Sequence, residues 1–199
     1  MPYDVFAALV VFVFATAFTP GPNNIMVTAS GVNFGFVRTI PHMAGITAGF
    51  VVLLLAAAAG LGLIFTAAPV LQTGLKIAGA LYMLWLAWKV ANSRPTSATG
   101  DADLASPMTF WQAVAFQWVN PKALVMSLTM VALFVRPERR VLDAAVLIAI
   151  NVVFTVATVV TWTGFGVALR GLLSNPRHAR TFNIIMALLL VASIVPMVL

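Results

Sequence analysis

The chain contains no cysteine. That excludes disulfide staples, thiolate metal ligands and cysteine nucleophiles together. Charge is almost as scarce: Asp, Glu, Lys and Arg make up 8% of the 199 residues, where a soluble domain carries about a quarter. Only five residues are acidic, Asp4, Asp101, Asp103, Glu138 and Asp143, and none lies deep in an apolar run. A metal-ion transporter of related fold would want Asp, Glu, His or Cys ligands at that depth, and the sequence offers none. An intramembrane enzyme would need a nucleophile–base or acid–base pair there, and none is present. H-E-x-x-H, G-x-S-x-G and P-loop patterns are missing, so the chain is read as no enzyme, with no cofactor and no metal. Without a P-loop, any transport must run on a gradient. The two histidines, His42 and His178, sit close to arginines and read as solvated loop residues.

What the chain has instead is apolar length. Hydrophobic residues make up 62% of it, and several segments reach the roughly 20 residues that a helix needs to cross a bilayer. This is the composition of an all-α polytopic membrane protein. Continuous apolar runs, with no alternation, exclude a β-barrel. The net charge of +6 is scattered over loops and reads as membrane topology; the lipid bilayer is a partner and nucleic acid is not. The N-terminus does not read as a cleaved signal, because Asp4 stands where a basic region would be.

Six helices are expected. The first starts near Asp4, enters Thr19-Pro20-Gly21-Pro22-Asn23-Asn24 and continues over about residues 23–33, with Gly35 opening a loop that carries Arg38. The second covers about 40–65; Gly45 and Gly49, four apart, give it a small-residue face for close packing. The third covers 69–91, with Trp85 and Trp88 as interfacial anchors near Lys89. A polar linker over 92–108 separates this first repeat, 1–91, from a second, 109–199. In the second repeat a fourth helix over 109–135 is interrupted at Asn120-Pro121-Lys122. A charged loop over 136–143 follows, then a fifth helix over 142–169 and a sixth over 180–198.

The halves correspond. Each has a proline break in its first helix, and Phe36-Val37-Arg38 is matched by Phe134-Val135-Arg136. Three helices per half, an odd number, force opposite orientations, the inverted-repeat plan of many secondary transporters. The expected loops on the linker side carry Arg38, Lys89, Arg94, Arg170, Arg177 and Arg180, against Lys76, Arg136, Arg139 and Arg140 on the other. The excess places the linker in the cytoplasm and both termini outside.

The chemistry is expected at the breaks. Prolines at 20 and 22 cannot sit inside a continuous helix. Backbone opened at membrane depth must be buried by protein or line a cavity, which points to a binding site; a proline kink between packed helices is the structural alternative. Lys122 is the only charge deep within a predicted span. It should face a cavity or a partner, and a ligand carboxylate is the natural one; snorkelling to an interface is the alternative. Half-helices restarting at Pro22 and Pro121 add free N–H groups and partial positive charge. Carbonyls freed near the breaks, those of Thr16, Phe18 and Gln117, could hold an ammonium. The expected substrate site is thus Thr19, Pro20, Gly21, Pro22, Asn23, Asn24, Gln117, Asn120, Pro121 and Lys122, built for a zwitterionic small-molecule amino acid. Lys122 is also the candidate carrier of a coupling proton. No fixed anion lies near the breaks, so small neutral amino acids are expected ahead of basic ones.

The residues also carry a resemblance. Thr19 to Asn24, Asn120-Pro121-Lys122, and Leu75-Lys76-Ile77-Ala78-Gly79-Ala80-Leu81-Tyr82 followed by Trp85-Leu86-Ala87-Trp88 resemble the LysE/RhtB family of amino-acid exporters over nearly the whole chain. Ser106-Pro107-Met108-Thr109-Phe110-Trp111 and the run from Asn183 to Val191 are similar to its cysteine/O-acetylserine group. The resemblance implies efflux across the bacterial inner (plasma) membrane, by exchange with a coupling proton or other ion. Substrates in the family range over cysteine- and O-acetylserine-like, threonine- and homoserine-like, and basic amino acids; a homodimer stays open. Some members have an acidic residue in the fifth helix, where this chain reads Asn151-Val152-Val153-Phe154-Thr155.

Overall fold

The computed structural model describes residues 1–93, 106–173 and 175–195. Most of the expected linker, Ser97 included, and the expected helix end at Val198 lie outside these residues. In order the elements are α1 (Tyr3–Phe18), α2 (Pro22–Phe34), α3 (Phe36–Ala59), α4 (Leu61–Ala67), α5 (Pro69–Ala91), α6 (Phe110–Val119), α7 (Pro121–Phe134), a 3-10 turn (Pro137–Arg139), α8 (Arg140–Leu169) and α9 (Pro176–Ala192).

Proline sets the punctuation. Helices α2, α5, α7 and α9 all open on one, where the missing N–H costs nothing and the fixed φ suits a helix. Between α1 and α2 the chain bends by 50°. Helices α3 and α5 and the segment 137–169 are long and apolar enough to cross a membrane, and the bent α1–α2 pair is a fourth if counted as one span.

Several expected boundaries move. Gly35 opens no loop: at φ +82° it is a one-residue corner, and α3 starts at Phe36 with Arg38 already helical. That left-handed φ suits glycine, which lacks the Cβ that would clash. The second helix stops at Ala59, where Gly60 at φ +111° turns the chain into α4. The sixth starts at Pro176, four residues early, because the Asn175 side chain accepts the Arg177 N–H at 2.9 Å and caps it. The charged loop is held by a bidentate pair: Arg136 Nε and Nη2 donate to Asp143 Oδ2 and Oδ1 at 2.7 and 2.9 Å. Asp143 belongs to the first turn of α8 and is buried; its hydrogen bonds push the Arg136 guanidinium above its ordinary value.

The tightest packing joins α2 to α8, α3 to α6 and α5 to α9. Glycines make the first two possible. A Cβ on Gly31 would stand 2.5 Å from the Thr163 carbonyl oxygen of α8, and one on Gly166 would collide with the Thr28 carbonyl of α2. A Cβ on Gly45 would collide with the Phe110 carbonyl and one on Gly49 would stand 2.8 Å from Val114 Cα, so the expected small-residue face packs on α6. Every residue of α2 from Asn24 to Asn33 is buried, whereas α1 leaves Val11 and Phe14 exposed. Trp85, Trp88 and Trp111 stand exposed at the linker ends of α5 and α6, where amphipathic rings meet a bilayer interface.

Candidate functional site

Each break is built by local chemistry. Pro20 and Pro22 donate no N–H, so α1 cannot run on through the break. Asn24 ties the end of α1 to the start of α2: its Nδ2 donates to Ala17 O at 3.0 Å and to Thr19 O at 3.1 Å. The carbonyls whose helical donor is a proline, those of Thr16, Phe18 and Gln117, are different ones. The first intrahelical bond of α2 runs from Ile25 N to Gly21 O at 3.0 Å. The N–H groups of Asn23 and Asn24 precede it and lie at the positive end of the helix dipole. At the second break Asn120 caps α7, its Oδ1 accepting from Ala123 N at 3.4 Å.

The two breaks are joined. Asn23 and Gln117 exchange amide hydrogen bonds, at 2.8 and 3.2 Å, and Gln117 also donates to Ala113 O at 3.0 Å. Lys122 Nζ reaches across to donate to Thr19 O at 2.6 Å. Gly21 makes that reach possible, since a Cβ there would stand 2.8 Å from Lys122 Cδ.

Between the breaks lies a cavity of about 70 Å³. Of the ten expected residues, Gly21, Pro22, Asn23, Asn24, Asn120 and Lys122 line it. The other four do not. Thr19 and Pro20 lie on the exposed side of the first break, and only the Thr19 carbonyl meets Lys122. Gln117 is fully buried behind Asn23, and Pro121 starts α7 without facing the cavity.

Helix α8 closes the cavity with residues that the site reading left out: Asn151, Thr155 and Thr158. Their spacing of four and three is one face of a helix, and a polar stripe at that period inside an apolar run was the available signal. Thr155 Oγ1 donates to Asn151 Oδ1 at 3.1 Å; Asn151 Nδ2 finds only Met130 Sδ at 3.7 Å. Thr158 Oγ1 is buried and has no partner. A buried hydroxyl left unpaired costs about 1–3 kcal/mol, so its presence on a cavity wall marks a place for a polar ligand or water. Ile46, Phe50, Met126, Met130 and Val159 supply the apolar remainder.

The cavity wall offers both hydrogen-bond donors and acceptors. An ammonium has three donors; one of Lys122's is on Thr19 O, leaving two for a carboxylate beside the α2 and α7 N-termini. Asn151, Thr155 and Thr158 offer oxygens to an ammonium. Among the described residues, no carboxylate side chain lines the cavity.

His42 departs from its reading. It is not a loop residue but sits in α3, 2% exposed, with neither ring nitrogen hydrogen-bonded.

The family model described as LysE type translocator matches residues 14–195. The cysteine/O-acetylserine efflux proteins of Escherichia coli (strain K12) and Shigella flexneri are each 36% identical over 182 residues, covering 88% of this chain and 88% of theirs. No solved structure matches. Both halves of the break site and the α8 stripe fall within the matched region, and the chain belongs to the LysE type translocator family, whose members are transporters and not enzymes.

Proposed function

We propose that the chain exports small neutral amino acids or their derivatives, cysteine- and O-acetylserine-like or threonine- and homoserine-like, across the inner membrane in exchange for protons. Amino-acid efflux is what its relatives are named for. The observation that carries the finer reading is Lys122, among the described residues the only ionisable side chain on the cavity between the two helix breaks. One fixed cation with no anion suits a ligand carrying one carboxylate and a neutral side chain; a second ligand cation would find no countercharge.

The scaffold in this proposal is six spans in two inverted repeats, with α1–α2 and α6–α7 as the broken pair. The packing supports it. Exchanging each helix for its counterpart in the other half turns the α2–α8 contact into one between the fourth span and α3, which α6 and α7 make, and returns α5–α9 to itself. The linker end is placed in the cytoplasm. A Ser97→Cys variant of this cysteine-free chain should then react with an impermeant thiol reagent only after cells are opened; labelling of intact cells reverses the orientation.

Purified protein in liposomes tests the substrate class. O-acetylserine, cysteine, threonine or homoserine should drive counterflow, with lysine and arginine at least about tenfold poorer, the effect of roughly 1.4 kcal/mol. Robust lysine or arginine exchange would move the protein to the exporters of basic amino acids.

A further inference from the structure

A second cavity, of about 190 Å³, lies on the linker side of the first. Polar walls from Ser30, Asn33, Asn92, Ser93 and Gln112 surround it, and His42 faces it. Buried polar groups in proteins are nearly always hydrogen-bonded, and a neutral imidazole has one donor and one acceptor to satisfy. His42 satisfies neither through the protein, although it is almost wholly buried. Its partners must come from what enters the cavity.

Its position matters as much. His42 is one turn from Ile46 on α3, and Ile46 lines the central cavity. Between the two spaces stands an apolar cluster, Val27, Met43, Ile46, Ala113 and Val159, with Met108 packed on it and also lining the second cavity. A proton bound at His42 is therefore next to the barrier that separates the substrate site from the linker side.

We propose that the linker-side cavity is a proton-binding site at which His42 carries the exchanged proton between the central cavity and the linker side. This rests on the proton-exchange part of the function proposed above. The imidazole takes one proton on its free nitrogen and returns it to water, and no other group changes. A charged imidazolium beside a dry apolar cluster favours hydration of that cluster, so proton binding and opening of the linker-side path are linked. The groups that face it leave the role to His42. Among the described residues, the titratable side chains sharing its cavity are Tyr82 and Lys89, and Lys89 Nζ lies 4.8 Å from the Trp85 ring centre. Arg38 precedes it by one turn on α3, and Arg170 follows α8 beside Gly35. Helices α2, α4 and α6 bring no titratable side chain; α7 brings Lys122, in the other cavity, and α8 brings Arg140 and Asp143, in its first turn.

The chain has two histidines, so His178→Gln leaves His42 as the sole reporter. In histidine-labelled protein in nanodiscs, the His42 ring resonances should shift reversibly between about pH 4 and pH 8, the range around histidine's ordinary value. Resonances that stay fixed until the protein unfolds overturn the proposal. In liposomes, His42→Gln should lower efflux driven by a pH gradient about tenfold, within the usual range of coupling between sites, and leave counterflow within about twofold. Unchanged pH-driven efflux, or parallel loss of both, also overturns it. Absence of amino-acid counterflow in the parent protein would sink the proposed substrate instead, and the titration would still decide the case of His42.

Discussion

Lys122→Met should weaken amino-acid binding at least about thirtyfold and reduce transport in liposomes to background. Truncating one partner of a buried, hydrogen-bonded charge pair costs about 2–5 kcal/mol, and methionine keeps the length of the stem while removing the charge. Two losses coincide in this variant. The substrate carboxylate loses its cation, and Thr19 O keeps Asn24 Nδ2 but loses the donor that reaches it from the second break. Lys122→Arg separates them in part, because it keeps the charge but does not titrate in the working range. Its larger head must find room where Gly21 already packs against the lysine stem, so binding should fall by less than in the methionine variant. Scintillation-proximity binding on the purified variants, followed by counterflow, checks both. If Lys122→Met binds and transports as the parent does, Lys122 is a snorkelling lysine and the substrate site lies elsewhere.

Gly166→Ala should lower the melting temperature sharply, and Gly164→Ala, two residues away on the same helix, should not. A methyl on Gly166 meets the Thr28 carbonyl of α2, which is backbone and cannot swing aside. Helices α2 and α8 must part, at a cost of about 1–3 kcal/mol for overpacking, and they carry Asn23, Asn24, Asn151 and Thr158 on the cavity walls. Gly164 has nothing within 4 Å of an added Cβ, so alanine there gains about 0.5–1 kcal/mol from helix propensity. Gly31→Ala should behave like Gly166→Ala, since its Cβ would stand 2.5 Å from Thr163 O. Melting of detergent-solubilised protein, followed by intrinsic tryptophan fluorescence, separates the three. Equal melting temperatures for Gly164→Ala and Gly166→Ala would mean that the α2–α8 contact yields easily and does not hold the site.

The sequence by itself determined the helical membrane class, the two breaks and the charge at the second, because each follows from local rules. Apolar length demands helices in lipid, proline forbids a continuous one, and a lysine at depth demands a polar neighbour. Boundaries were legible only where such a rule was strong. Gly35 and Gly60 read as loop and helix because φ is set by what lies on either side, and Pro41 passes inside α3 near its start. Tertiary structure decided which break residues face inward. Gln117 and Asn23 spend their amides on each other, a pairing across 94 positions of chain that no local pattern encodes. It also decided the third wall of the site. Asn151, Thr155 and Thr158 are separated from the breaks by sequence and are brought to them by the crossing of α8 over α2, where glycine lets the backbones touch. His42 shows the same limit from the other side. Its neighbours in sequence look like a loop, and only the packing of α3 turns it into a buried imidazole facing a cavity.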